Sequence, residues 1–197
     1  MRKPSAVLSA VLILLAACGS AKAVKIRPLT GLVTGARAGY WNHAGGSLYF
    51  NNGIDGGAKV GFRFEPGDLE VFGFFDFCYI LPKEGGLLGE DETATLMTFG
   101  LMSRVIFIPD NWITPFVSAG PSFEIRKTSL GLTDDGEGFS YRNDSADFSL
   151  SVELGVEFPL PPHSNVEVGA RLHHVVAPND EEGFAGLSFY AGYNYYF

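Results

Sequence analysis

The sequence predicts an all-β fold, an eight-stranded antiparallel up-and-down transmembrane β-barrel, from three observations. Apolar and polar residues alternate with a period of two, which is the pattern of strands with one apolar and one polar face. Eight such segments follow one another, each of about ten residues or more, the length that a tilted strand needs to cross a bilayer. The connections between them alternate between short and long, as in membrane barrels.

Composition supports this fold class. The 197 residues fit one domain, and 25 Gly, 17 Phe and 8 Tyr with only 18% charged residues favour strands and turns over helices. The formal net charge of −8 argues against nucleic acid as a partner.

Residues 1–23 have the form of a secretory signal, with a basic start, an apolar run too short to span a bilayer, and small residues after it. Two processing sites remain open. Ala21-Lys22-Ala23 suits ordinary signal peptidase, whereas the segment ending at Cys18 is similar to a lipobox, in which Cys18 is lipidated. Residues 24–197 then form the barrel domain. Cleavage after Ala23 leaves Cys78 as the single cysteine, which excludes an intramolecular disulfide.

The strands are predicted from this alternation in chain order. It is clearest over 148–158, where apolar residues at even positions alternate with Ser, Gly and Glu, and it recurs over 58–65 and 166–172. These three stretches establish three strands, and the remaining five candidates are 32–41, 69–80, 95–108, 114–126 and 183–197, which makes eight strands.

The connections predict how the strands are arranged. Tight turns are expected at 65–68, 109–111 and 159–164, and long polar or Gly-rich segments at 42–57, 81–92, 127–145 and 177–182. With an even strand count, both termini lie at the end with the short turns. Pro121 has no N–H to donate, so we expect a bulge or a bend there.

The polar face of the strands decides which side is outside. It consists largely of Gly and Ser with sparse charges, as expected for the crowded lumen of an eight-stranded barrel, so the apolar face contacts lipid. Arg63 and Glu70 lie symmetrically about a turn and are predicted to pair. Because unpaired buried charges are costly, we expect a closed polar network rather than an open pore. The charges predicted for the lumen are Arg37, Lys59, Arg63, Arg104, Arg126, Arg171, Glu70, Asp76, Glu124, Glu153, Glu157 and Glu167. Cys78 is expected to face inward as a small filler.

Three segments resemble a known family. Residues 35–41 (GARAGYW) and 114–120 (TPFVSAG) look like the first and middle strands of small OmpA/OmpX-like outer-membrane barrel domains. The last strand, with Phe189, Tyr193, Tyr195 and Phe197 on one face, is similar to the assembly signal of such barrels. The resemblance implies export through the periplasm to the outer membrane of a Gram-negative-type bacterium. The implied partners are outer-membrane lipids, lipopolysaccharide and the barrel assembly machinery, for a chain that is a monomer.

The sequence favours a structural or surface-interaction protein over an enzyme, and it contains no motif for a cofactor or a metal. One alternative is a lipid A-modifying hydrolase, because residues 169–174 (GARLHH) resemble the penultimate strand of lipid A 3-O-deacylases. That resemblance implies a catalytic role for His174, but Val176 stands where the nucleophilic serine would be. Another alternative is a soluble periplasmic lipoprotein barrel anchored through Cys18.

Overall fold

The computed structural model describes residues 28–43, 50–82, 93–134, 137–160, 162–176 and 185–197. They form one closed antiparallel barrel in which each strand pairs with the next and the last strand pairs with the first. The strands are β1 (Gly31–His43), β2 (Phe50–Phe64), β3 (Leu69–Pro82), β4 (Thr93–Ile106), β5 (Thr114–Asp134), β6 (Glu137–Leu160), β7 (Ser164–Val175) and β8 (Ala185–Tyr196). The predicted fold class is confirmed, whereas the predicted signal and Cys18 lie outside the described residues. Within those residues, no helix has the length and apolarity of a membrane span.

The β5–β6 hairpin is longer than the sequence predicts. The expected long connection over 127–145 is wrong, because β5 continues to Asp134, β6 starts at Glu137, and the two pair in one unbroken register. β2 likewise begins at Phe50, inside the expected connection 42–57. Polar and Gly-rich composition resembles that of a loop, but a neighbouring strand satisfies backbone N–H and C=O groups whatever the side chains are.

Short turns close one end of the barrel, where β1 begins and β8 ends. In the turn after β2, the Gly67 N–H donates to the Phe64 carbonyl at 2.6 Å. Gly67 has a φ of 100°, a conformation that glycine adopts at little cost. We call the end with the short turns the turn end of the barrel. The opposite end, where the β5–β6 hairpin continues, is the hairpin end.

The two faces of the wall are as predicted. Glu153 and Glu157 are fully buried inside, whereas Phe148 and Val152 are each 44% exposed on the outside. Phe158 is half-buried. Every strand exposes at least one large apolar side chain on its outer face. Soluble monomers rarely expose continuous apolar surface of this kind, so the wall is a lipid-facing surface around a polar interior.

Of the bulge or bend predicted at Pro121, the bulge is absent. The pairs on either side of it, Gly100–Ser122 and Ser103–Ala119, have the same register, so no residue is inserted. The ladder between β4 and β5 is interrupted there, while Pro121 keeps its place in the ladder with β6. Because Pro121 has no N–H, β4 and β5 lose their pairing at this point, and the register of the two strands stays the same.

Candidate functional site in the barrel lumen

All twelve charged residues predicted for the lumen lie on its inward face. The side chains of eleven are at most 8% exposed, and only Arg126, at the hairpin end, is as much as 26% exposed. Alternation along each strand places them there, because successive side chains point to opposite faces. We use the name lumen network for the ten that form the central ion pairs. Its members are Arg37, Lys59, Arg63, Glu70, Asp76, Arg104, Glu153, Glu157, Glu167 and Arg171.

Arg104 lies at the centre of the lumen network. Its Nη1 lies 2.9 Å from a carboxylate oxygen of Glu157 and 2.7 Å from one of Glu167, and its Nη2 lies 2.9 Å from Glu153. Its Nε donates to the Ser118 hydroxyl at 3.0 Å. One guanidinium on β4 therefore joins carboxylates of β6 and β7, across the interior. Hydrogen bonds to charged partners of this kind are the strong ones.

Arg63 and Glu70 face each other in the β2–β3 register, and their side chains form an ion pair at 2.6 Å. The same Arg63 Nη2 also contacts Glu157 at 2.6 Å. Lys59 Nζ lies 3.1 Å from Glu70 and 3.1 Å from Glu167. This half of the network, nearer the turn end, is thus continuous with the Arg104 cluster through shared carboxylates.

Asp76 binds two guanidinium groups in the other half of the network. It accepts hydrogen bonds from Arg37, one of them at 2.9 Å from Nε, and from Arg171 Nη1 at 2.6 Å. Arg171 Nη2 reaches Glu153 at 3.1 Å, and the Tyr190 hydroxyl also donates to Glu153. Five cations and five carboxylates therefore neutralise one another within the lumen network, which is the condition under which buried charges are tolerated.

Aromatic rings fill the space between the charged groups. The Arg104 guanidinium carbon lies 3.8 Å from the ring centroid of Phe116, and that of Arg171 lies 4.2 Å from the ring of Phe74. Arg63 lies in the same way 4.8 Å from the ring of Tyr196. Cation–π contacts of this kind are strongest when the cation is desolvated. The rings therefore both stabilise the cations and exclude water from around them.

A chain of hydroxyl groups continues towards the hairpin end. The Ser122 hydroxyl lies 2.7 Å from that of Ser149 and 2.8 Å from that of Ser151, and the Ser151 hydroxyl lies 2.9 Å from His173 Nδ1. All four residues are buried. The chain links β5, β6 and β7 on the inside of the wall. Its only histidine is enclosed, because Val175, the next inward residue of β7 towards the hairpin end, belongs to an apolar cluster.

Apolar clusters lie at both ends of the lumen. Towards the hairpin end, Cys78 packs inward, as predicted, with Trp41, Ile80, Leu96 and Val175. Towards the turn end, a second cluster is formed by Leu29, Val33 and Tyr196. These side chains lie between the charges and the aqueous phases on the two sides. The polar lumen is therefore occluded at three levels, by two apolar clusters and by the network between them.

Sequence reasoning missed several polar residues of the lumen. Asp55 accepts a hydrogen bond from the Ser188 hydroxyl, although the Gly-rich surroundings of Asp55 suggested a loop. Asn194 Nδ2 donates to Glu167 at 3.0 Å and to Asn165 at 2.6 Å. The alternation of the predicted strands could have found both. Asn194 lies between the outward residues Tyr193 and Tyr195, and Asn165 lies two residues before inward Glu167, just ahead of the predicted stretch 166–172.

Glu124, Arg126 and Asp147 form a separate group at the hairpin end. Arg126 Nε lies 3.3 Å from Glu124, and its Nη2 lies 3.1 Å from Asp147, which is 21% exposed. Because Arg126 and Asp147 reach water, their pairing is expected to stabilise less than the pairs of the lumen network. Glu124 lies on the same inward face but is not bonded to the lumen network by the contacts described above.

Within the described residues, the structure does not assemble a catalytic site around His174. His174 lies on the outer face, exposed, and Val176 lies on the same face beyond it. The neighbouring His173 points inward to Ser151, as the alternation of a strand requires. No group of three metal-ligating side chains is found among the described residues.

We expect no steady ionic current when the purified protein is inserted into a planar lipid bilayer. Each ion would have to pass two apolar clusters and displace paired charges, and apolar constrictions block ions by excluding water. Trp41→Ala should remain non-conducting, because the lumen network still fills the interior. A stable open channel in the unmodified protein would contradict the occluded lumen.

Solved structures with the same fold include several outer-membrane proteins. No protein-family model matches the chain, and no relative is found among curated proteins. Neisserial surface protein A is 18% identical, with a TM-score of 0.60 over 85% of this chain and 97% of that one. Ail, the attachment invasion locus protein of Yersinia pestis, is 15% identical, with a TM-score of 0.51 over 86% of this chain and 100% of that one. The outer membrane protein OprG of Pseudomonas aeruginosa is 12% identical, with a TM-score of 0.53 over 87% and 100%. At these identities the likeness is one of fold.

Proposed function

We propose that this protein is a closed outer-membrane barrel that anchors the β5–β6 hairpin and presents it to partners at the cell surface. The observation that carries the proposal is the length of that hairpin. β4 pairs with β5 as far as Ser129, and β7 pairs with β6 from Ser149 onwards. Among the described residues, 130–134 and 137–141 therefore pair only with each other, and this part of the hairpin extends beyond the described parts of β4 and β7.

Three further features support the outer membrane as the location. The outer wall is apolar around the whole barrel, which also counts against a soluble lipoprotein barrel. Tyr193, Tyr195 and Phe197 are exposed on the outer face at the turn end, where aromatic rings suit a membrane interface. The structural neighbours named above are outer-membrane or surface proteins by their names. In this orientation the turn end faces the periplasm, and the lipid contacts include lipopolysaccharide.

The C-terminal strand suits recognition during assembly. Its outer face carries Phe189, Tyr193, Tyr195 and Phe197 at alternate positions, and all four are exposed. We infer that the assembly machinery reads this strand, as the resemblance implies. The occluded lumen supports a passive role for the barrel itself, because paired charges and two apolar clusters fill the described part of the interior.

Surface labelling tests the proposed location and orientation. A membrane-impermeant maleimide should label Ser140→Cys in intact cells, because residue 140 lies in the projecting hairpin. Asp110→Cys, in the turn between β4 and β5, should be labelled only after the outer membrane has been permeabilised. Native Cys78 is buried in the lumen and should give little background.

Both variants need a check that they are folded. Transmembrane barrels resist unfolding in unheated detergent, so each variant should shift its mobility on a denaturing gel when it is heated. Equal labelling of both folded variants in intact cells, or labelling of Asp110→Cys alone, would contradict the proposed orientation.

A further inference from the structure

The short turn between β4 and β5, residues 107–113, exposes apolar side chains at the turn end of the barrel. Ile108 is 44% exposed and Trp112 is 45% exposed. The short turns of membrane barrels lie in the periplasm, which is aqueous. The turn between β2 and β3 suits water, because the side chains of Glu65 and Asp68 are exposed there. The β4–β5 turn therefore differs in character from its neighbour at the same end of the barrel.

Ile108 owes its exposure to an unusual backbone conformation. Side chains of β4 alternate between the two faces, with Ile106 buried and Phe107 exposed, so a continued strand would direct the next side chain inward. Ile108 instead has a φ of 56°, which is rare for a β-branched residue, and the following Pro109 restricts its backbone further. Phe107 and Ile108 are consequently both exposed. A strained conformation that turns an apolar side chain outward points to a role for that side chain.

Hydrogen bonds around Asn111 hold this conformation. The Asn111 N–H donates to the Ile108 carbonyl at 3.2 Å, and the Trp112 N–H donates to Asn111 Oδ1 at 2.8 Å. The Thr114 hydroxyl donates to the Asn111 carbonyl at 3.1 Å, and Asn111 itself is buried. Ile108 and Trp112 are therefore presented on a turn whose backbone is fixed from within.

We propose that the β4–β5 turn is a lipid anchor, in which Ile108 and Trp112 insert among the headgroups of the nearer leaflet while charged Asp110 stays in water. The turn continues the lipid-facing wall, because Val105 and Val117 are exposed cross-strand partners on the outer face just before it. An indole ring favours a membrane interface, where its apolar body contacts lipid and its N–H reaches water. Lipid is thus the partner that fits both side chains.

An anchor at this point fixes the height of the barrel in the bilayer. β5 begins directly after the turn, at Thr114, and continues to Asp134 in the hairpin. The anchor and the hairpin are therefore connected by one strand, so holding the turn at one membrane surface sets how far the hairpin extends beyond the other. The proposed function makes the nearer leaflet the periplasmic one, but the contact with lipid does not depend on that orientation.

Depth-dependent quenching of tryptophan fluorescence tests the anchor. The chain has two tryptophans, and Trp41 is buried in the lumen, so Trp41→Phe leaves Trp112 as the only emitter. In phosphatidylcholine vesicles, lipid brominated near the headgroup end of its acyl chains should quench Trp112 by about half, because the ring lies at the interface. Lipid brominated near the methyl end, and acrylamide in the water, should each quench it much less.

The β2–β3 turn supplies the matched control. Asp68→Trp, combined with Trp41→Phe and Trp112→Phe, places the only emitter in that turn, at an exposed position. Its emission should respond strongly to acrylamide and little to either brominated lipid. The heat-dependent gel shift confirms that each variant is folded.

Ile108→Asp supplies an independent check on the turn itself. Aspartate adopts a positive φ more readily than isoleucine, so the turn can keep its shape, but the charge favours water. In the Trp41→Phe chain this change should lower the quenching of Trp112 by the shallow lipid about twofold or more, because the turn leaves the interface. Quenching that stays the same in Ile108→Asp contradicts an anchor that depends on Ile108.

Two further results would overturn the anchor. One is a Trp112 that acrylamide quenches as strongly as it quenches Asp68→Trp, with no effect of brominated lipid. The other is protection of Trp112 from both kinds of quencher, since protein rather than lipid would then cover it. Either result leaves the proposed function standing, because the surface labelling of Ser140→Cys tests that function separately.

Discussion

Arg104→Gln is expected to lower the free energy of unfolding by about 3–5 kcal/mol, the range for breaking a buried ion pair by removing one partner. Arg104 is fully buried and contacts Glu153, Glu157 and Glu167, so its loss leaves several carboxylates without their shared cation. The uncharged amide cannot replace a guanidinium that binds three acids. Urea unfolding of the protein in phospholipid vesicles, followed by tryptophan fluorescence, measures the change.

Asp147→Asn is the control for this measurement. Asp147 also pairs with an inward arginine, Arg126, but the two side chains are 21% and 26% exposed at the hairpin end. Its loss should cost about 0–1 kcal/mol, as for ion pairs that reach water, because Arg126 keeps Glu124 as a partner. Adding Glu157→Gln to Arg104→Gln should restore part of the lost stability by removing the excess negative charge of the network. Equal effects of Arg104→Gln and Asp147→Asn would contradict the central role of Arg104.

Leu154→Arg is expected to destabilise the barrel by about 2–4 kcal/mol, the cost of a cation on the lipid face near the bilayer midplane. Leu154 lies on the outer face, 40% exposed, midway along the part of β6 that is paired on both sides. An arginine there must either lose its hydration in the hydrocarbon or distort the bilayer. The same unfolding assay in vesicles measures this change.

Val176→Arg is the control for depth. Val176 lies on the outer face just beyond the end of β7, and it is 47% exposed. An arginine at the edge of the bilayer should cost about 0–1 kcal/mol because its charge reaches the headgroups. If Leu154→Arg were as harmless as Val176→Arg, the outer wall could not be the lipid-facing surface.

The alternation of inward and outward side chains along the strands was the most informative signal in the sequence. A period of two placed Glu153 and Glu157 inside and Val152 outside, and the structure agrees. The same alternation, together with the short turn between β2 and β3, was enough to predict that Arg63 lies opposite Glu70. Local rules therefore specify the strands, their faces and the partners within one hairpin.

The contacts between distant strands could not be predicted in this way. Arg63 meets Glu157, and Arg171 meets Asp76, across the lumen from strands that are not neighbours in the sheet. Such partners depend on the stagger of the closed barrel, which no segment of sequence specifies by itself. The length of the β5–β6 hairpin was missed for another reason. Asn, Asp and Gly are typical of loops, and only the pairing of the two segments shows that they form strands.

The lumen network has a consequence for how the cylinder closes. It joins Lys59 on β2 and Asp76 on β3 to Glu167 and Arg171 on β7, so these pairs form only once the sheet has curled round. Before β1 meets β8, these charges are separated and must remain hydrated. Pairing of β1 with β8 and exclusion of water from the lumen are thus one event. A sheet in which β1 and β8 are unpaired keeps a hydrated interior, so separating these two strands should unfold the whole barrel in an all-or-none step.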